Sequence, residues 1–214
     1  MLEGDDSGAD NITHSYRLVE WRNFSSLYKL VGNGGVLADA DDAYTRFVYE
    51  HYLGTDEACD DRIKRELFPK IMSSDYSLDT TAGRAMFIMD VMDYLAGNYE
   101  YTLAPGTTPS GKDYVEYFLF EKKKGLCTHF ASSAAMILRS AGIPTRYVEG
   151  YVVPESLYPG NPVSASGVSI RGNGEFYKDT WDYYEETVTD RYAHAWIEVY
   201  IDGIGWITVD ATPG

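Results

Sequence analysis

The 214 residues suffice for one sizeable domain, or for a domain with a helical extension. With 44% hydrophobic and 24% charged residues, the composition is globular and excludes disorder as the starting point. Against 18 basic side chains stand 33 acidic ones, and the formal charge of −15 repels phosphate backbones, which argues against a nucleic-acid partner.

Residues 1–15 read as a polar leader whose acidic start is not a signal peptide, and no apolar run is long enough to span a bilayer. The first helix is expected from about Asp39 to Leu53, with Tyr44, Phe47, Val48, His51 and Tyr52 as its stripe, His51 as a core histidine and Gly54 as the stop. A second follows from Asp56 to Met72 with Ile63, Leu67, Phe68 and Ile71 inward, and Pro69 kinks or ends it. Cys59 shares that inward face and reads as an inert buried thiol. A third helix runs from Thr81 to Ala96, carries Ala85, Ile88, Met89, Met92 and Leu95 on one face, and ends at Gly97.

A Pro/Thr/Gly-rich loop over 103–111 leads to a short helix from Asp113 to Phe120. From Cys127 to Ala141 comes a helix rich in small residues, with Ala131, Ala134 and Leu138 on the face of Cys127, and then a strand from Thr145 to Val153. Residues 154–190 lack periodicity and are expected to run over the surface with a short hairpin. Two strands, Tyr192 to Ile201 and Gly205 to Asp210, close the chain. Helices first and strands last define an α+β class. We divide the chain into a helical lead-in, 1–80, and a core, 81–214.

Cysteine chemistry is the most informative signal. The two cysteines, Cys59 and Cys127, make no disulfide framework and no zinc spacing, so neither metal nor cofactor is expected. Cys127 opens a helix, where free backbone N–H groups and partial positive charge favour a thiolate and can receive an oxyanion. His129 stands two positions on, roughly 200° around the helix, and faces away with Ser133 and Met136. His194 is the better base. Its strand alternates an apolar face (Ala193, Ala195, Ile197, Val199, Ile201) with a polar and aromatic one (Tyr192, His194, Trp196, Glu198, Tyr200). On the next strand Trp206, Thr208 and Asp210 share the face opposite Ile207 and Val209, so Asp210 can fix the imidazole tautomer across the sheet.

That pairing depends on the turn. Asp202-Gly203 is a two-residue hairpin signal, but such a loop would set Asp210 opposite Ala195, on the apolar face. Burying an unpaired carboxylate there costs several kcal/mol, on the order of a lost buried polar partner. An odd loop of Ile201, Asp202 and Gly203 is therefore expected, with Gly203 left-handed, Tyr200 opposite Ile204 and His194 opposite Asp210.

Four segments resemble the transglutaminase-like superfamily: Gly125-x-Cys127-x-x-Phe130-Ala131, then Arg139-x-x-Gly142-Ile143-Pro144-x-Arg146-x-Val148-x-Gly150-Tyr151, then His194-Ala195-Trp196-x-Glu198-Val199, and Gly205-Trp206-x-x-x-Asp210-x-Thr212-Pro213. Tyr99-x-Tyr101 and Phe118-Leu119-Phe120 resemble the stretch before the cysteine in extracytoplasmic domains of bacterial membrane proteins. The resemblance runs from about Thr81 to Pro213. It implies a papain-like cysteine fold and thioester chemistry on a protein or peptide amide, with Cys127, His194 and Asp210 catalytic. It also implies an extracytoplasmic place in a longer membrane-anchored or secreted protein, the membrane being reached only through other parts of that parent. The end of the chain just after the last motif fits such a piece. Ala211 stands where many members have Pro. No Trp stands close before the cysteine to bind the oxyanion, so Tyr99 or Tyr101 is the substitute. Trp196 and Tyr101 are candidate substrate contacts. Arg146 and Glu198 read as a structural ion pair. The alternative is a cell-surface binding module that keeps the triad without turnover.

Overall fold

The computed structural model describes residues 42–72, 76–152, 163–170, 176–183, 189–202 and 204–213. The 1–15 leader, the expected start of the first helix at 39–41 and about half of the 154–190 stretch lie outside them.

Helix α1 (Asp42–His51) buries Val48, and Thr45, Tyr49 and Tyr52 are half-covered beside it. The inward stripe is thus 45, 48, 49 and 52, rotated by about one residue from the expected one. Tyr44, Phe47 and His51 are exposed, and His51 is no core histidine: its Nδ1 lies 2.8 Å from the Phe47 carbonyl oxygen and its ring stacks on Phe47. The rotation follows from polar tethers, because Thr45 bonds the Tyr200 hydroxyl and Tyr49 donates to Asp202.

Helices α2 (Glu57–Glu66) and α3 (Phe68–Ile71) divide the expected second helix at Leu67. Pro69 explains the break, since it lacks an N–H and its ring crowds the carbonyl four residues back. Helix α4 (Thr81–Asn98) runs past Gly97, which therefore does not end it. Its start is fixed by Thr80, whose hydroxyl accepts from the Gly83 N–H; a Cβ at Gly83 would strike the Ser77 carbonyl oxygen at 1.8 Å.

Strand β1 (Glu100–Tyr101) pairs in parallel with β2 (Lys124–Gly125), a contact that no local pattern announced. Between them lies α5 (Tyr114–Glu116), capped by Asp113, which runs into a π-helical stretch, Tyr117–Lys122. Lys123 closes that stretch at φ 53°.

Helix α6 (Cys127–Ser140) packs on an antiparallel sheet of β3 (Thr145–Tyr151), β6 (Ala193–Ile201) and β7 (Gly205–Val209), in the order β3-β6-β7. A separate hairpin pairs β4 (Val163–Ile170) with β5 (Phe176–Tyr183). It is longer than the short hairpin expected there, and Tyr192 belongs to a 3₁₀ turn before β6. The architecture is α+β, as expected.

One core joins α2, α3, α4, α6 and the sheet. Cys59, Ile63, Leu67 and Ile71 lie in the same cluster as Phe87, Leu95, Phe130, Leu138, Ile197 and Val199. Ala131 and Ala134 are fully buried, and their small side chains let α6 lie close to the apolar face of β6. Each fully buried Leu, Ile or Phe here contributes about 1.5–3 kcal/mol. Arg139 ties the end of α6 to the Thr145 and Gly54 carbonyls, which gives that motif residue a structural task.

Candidate active site

The β6–β7 hairpin decides where Asp210 falls. Ile201 pairs with Gly205, Tyr200 with Trp206 and Ile197 with Val209. The loop is three residues long, 202–204, so its odd length is as expected, but its place is not. Pairing is shifted by one residue pair, and Tyr200 does not face Ile204. The loop closes through the Ile204 N–H to the Ile201 carbonyl, and Gly205 takes φ +99°, a conformation costly for any residue with a Cβ. Gly203 lies outside the described residues.

As a result His194 and Asp210 are diagonal rather than directly opposed, yet they share a face. Their side chains close the gap: His194 Nε2 is 2.8 Å from Asp210 Oδ2. The other carboxylate oxygen, Oδ1, accepts the Thr212 backbone N–H at 2.9 Å. Burial pushes the Asp210 carboxyl upward, but the His194 and Thr212 hydrogen bonds outweigh it and hold the group below the usual carboxylate range. An ionised Asp210 accepts from Nε2–H, which leaves Nδ1 as the unprotonated, basic nitrogen of a neutral His194.

Cys127 stands at the first position of α6, half-covered and free. Leu126, the N-cap, has no side-chain acceptor. The His129 and Phe130 N–H groups bond to the Leu126 carbonyl, while among the described residues those of Cys127 and Thr128 have no partner. Two donors therefore remain open at the thiol. No hydrogen bond joins Cys127 to His194 among the described residues. What links the two sides is Tyr101: burial raises its phenol, and the charges of Cys127 and Asp210 both add to the rise.

The parallel bridge explains how Tyr101 comes there. Tyr101 pairs with Gly125, two residues before Cys127, and is 40% exposed. Tyr99 is buried and donates to the Leu119 carbonyl, so it is not free to serve the site. Tyr114 and Tyr147 also sense the Cys127 charge, and neither stood out in the sequence. Tyr147 had a legible signal, since alternation on β3 puts it on the face opposite Arg146.

His129 packs against Tyr114 and Phe118, and its Nδ1 accepts the Leu126 N–H at 3.1 Å. Its ring presses on Gly125, where a Cβ would lie 2.5 Å from it. Burial, helped by Lys122, holds it below the usual imidazole range. It caps the helix. Arg146 and Glu198 form the expected cross-strand ion pair, with the guanidinium 4.3 Å above the Trp206 ring. Among the described residues no cluster of His, Cys, Asp or Glu is arranged to hold a metal ion.

A helix-borne cysteine packed on an antiparallel sheet that presents a His–Asp pair defines a papain-like cysteine fold. The Transglutaminase-like superfamily model matches residues 77–211, and the chain belongs to that family. It is 40% identical over 126 residues to the uncharacterized protein YebA of Bacillus subtilis, a match spanning 58% of this chain and 14% of that protein. It is 35% identical over 114 residues to a protein-glutamine gamma-glutamyltransferase of Pseudomonas aeruginosa, spanning 53% of this chain and 13% of that one. The crystal structure of the periplasmic domain of TgpA from Pseudomonas aeruginosa, bound to ethylmercury, superposes with a TM-score of 0.51 at 25% identity. That match covers 78% of this chain and 49% of that one. The chain thus spans only a small part of the curated relatives it matches. Among the described residues no helix is long and apolar enough to cross a membrane.

Proposed function

We propose that this chain is a cysteine-dependent acyltransferase or hydrolase acting on a protein or peptide amide, with Cys127 as nucleophile, His194 as base and Asp210 as orienter. The observation that carries the reading is the His194–Asp210 hydrogen bond of 2.8 Å, which commits Nε2 and frees Nδ1. Cys127 gives its thiol proton to His194 Nδ1, and the thiolate attacks the amide carbonyl, whose oxyanion meets the open Cys127 and Thr128 N–H groups. Protonated His194 then gives that proton to the leaving amine as the C–N bond breaks and the thioester forms. A second amine, or water, then loses a proton to His194 and attacks the thioester, so the C–S bond breaks and the thiolate returns. Tyr101 and Trp196 are proposed to line the bound substrate. Likeness to a protein-glutamine gamma-glutamyltransferase supports a glutamine side chain as the acyl donor. Likeness to a periplasmic domain supports an extracytoplasmic place within a longer protein.

A glutamine-containing peptide with and without an added primary amine tests the reading. Ammonia release and a Cys127-linked acyl adduct, trapped by acid quench and seen by mass spectrometry, are expected. A chain that binds the peptide but never acylates Cys127 is a binding module, and the proposal fails.

A further inference from the structure

We infer that Gly150 and Trp196 form a positioning device for the His194 imidazole. The inference rests on the catalytic reading of His194 given above. Gly150 is the cross-strand partner of His194. A Cβ at this position would lie 2.6 Å from Trp196 Cη2 and 3.2 Å from Cζ3, so the indole occupies the volume that any other side chain here would fill. The same indole stands parallel to the imidazole, with ring centroids 6.4 Å apart and planes 22° apart. The imidazole therefore has a wall on each side. The β3 side is closed by the indole lying over the bare Gly150 backbone. The β7 side is closed by Asp210, hydrogen-bonded to Nε2.

A histidine held only by one hydrogen bond can rotate about χ1 and χ2 into other staggered wells. Filling the β3 side with a packed ring removes the wells in which Nε2 leaves Asp210 and Nδ1 turns away. Gly150 is needed for space here, since its φ is not in the left-handed region. Trp196 is in this respect a positioning residue, acting on the reaction through His194.

The test uses Gly150→Ala, Trp196→Phe and the double variant, each read in two ways. The first readout is the His194 ¹⁵N tautomer signature, which needs no turnover. The second is the division between kcat and KM. Gly150→Ala is expected to displace the indole, reduce the Nε2–H tautomer signal and lower kcat about 10- to 100-fold, the scale of a misplacement near 1 Å, while any rise in KM reports the substrate contact proposed for Trp196. Trp196→Phe lacks the atoms that would meet the new methyl. The double variant should therefore match Trp196→Phe alone rather than add the two losses. A Gly150→Ala protein with an unchanged tautomer signal and kcat, or strictly additive losses, overturns the device. If Gly150→Ala does not fold, Trp196→Ala replaces it, and an unchanged tautomer signal there overturns the device equally. Failure of the catalytic reading is separate, because it would show as a His194→Ala protein that still acylates Cys127 while the wild-type tautomer signal stands.

Discussion

Cys59 and Cys127 both lie in the first turn of a helix, yet their surroundings are opposite. At the start of α2 the Asp56 carboxylate accepts the Ala58 and Cys59 N–H groups, so the donors are consumed. Burial, followed by the charges of Glu116, Asp113, Asp56 and Asp60, pushes the Cys59 thiol up to about 12. At the start of α6 the cap residue is Leu126, the first donors stay open, and the thiol is half-covered. A helix N-terminus by itself therefore does not set the surroundings of a cysteine. What caps the helix, and what is packed around it, differ between the two.

Removing each thiol breaks the comparison most severely. Cys127→Ala should lower acyl transfer at least about 10³-fold, while Cys59→Ala keeps the rate and loses only about 1 kcal/mol of stability from its small cavity. Steady-state kinetics and urea unfolding read the two; a dead but folded Cys59→Ala protein would invert the assignment. The histidines should separate nearly as widely. His194→Ala should cost about 10²- to 10⁴-fold in kcat, whereas His129→Ala should retain the rate and lose about 0.5–2 kcal/mol as a cap. Asp210→Asn, which replaces the acceptor of Nε2–H with an amide, should lower kcat by up to about 10⁴-fold with the fold intact by circular dichroism.

Two smaller effects sharpen the contrast. Iodoacetamide at neutral pH should label Cys127 in the native chain and leave Cys59 untouched until it unfolds, as peptide mass spectrometry would show; equal labelling rates count against the distinction. The last is a pH effect on stability. His129 is held below its ordinary value of 6.5, so between that value and its folded one the unfolded chain binds a proton that the folded chain does not. Its contribution is full above about pH 6.5 and declines as the pH falls through that window. His129→Asn, which cannot titrate, should flatten that part of the curve of unfolding free energy against pH.

Much of this arrangement was legible from local pattern. The helix opening at Cys127 follows from Gly125-Leu126 and the small-residue face behind it. The two-residue alternation from Ala193 to Ile201 put His194 on the polar face of β6. The cost of burying Asp210 demanded an odd loop. Periods of 3.6 and 2 are properties of one segment, so one segment's residues suffice to state them. The inward stripe of α1 escaped this reading because polar tethers to Tyr200 and Asp202 turned the helix, and those partners lie more than 150 residues away.

The sequence by itself determined the family motifs, the helix that carries Cys127 and the faces on which His194 and Asp210 lie. Tertiary structure alone decided how these meet. The register of β7 moved Asp210 to a diagonal place, the β1–β2 bridge brought Tyr101 to Gly125, and the bare backbone at Gly150 admitted the Trp196 ring. The physical reason is that each of these depends on which distant backbone fills a given space. Steric fit and hydrogen-bond closure settle that only when the strands and helices come together, because no local propensity distinguishes one register from another two residues away.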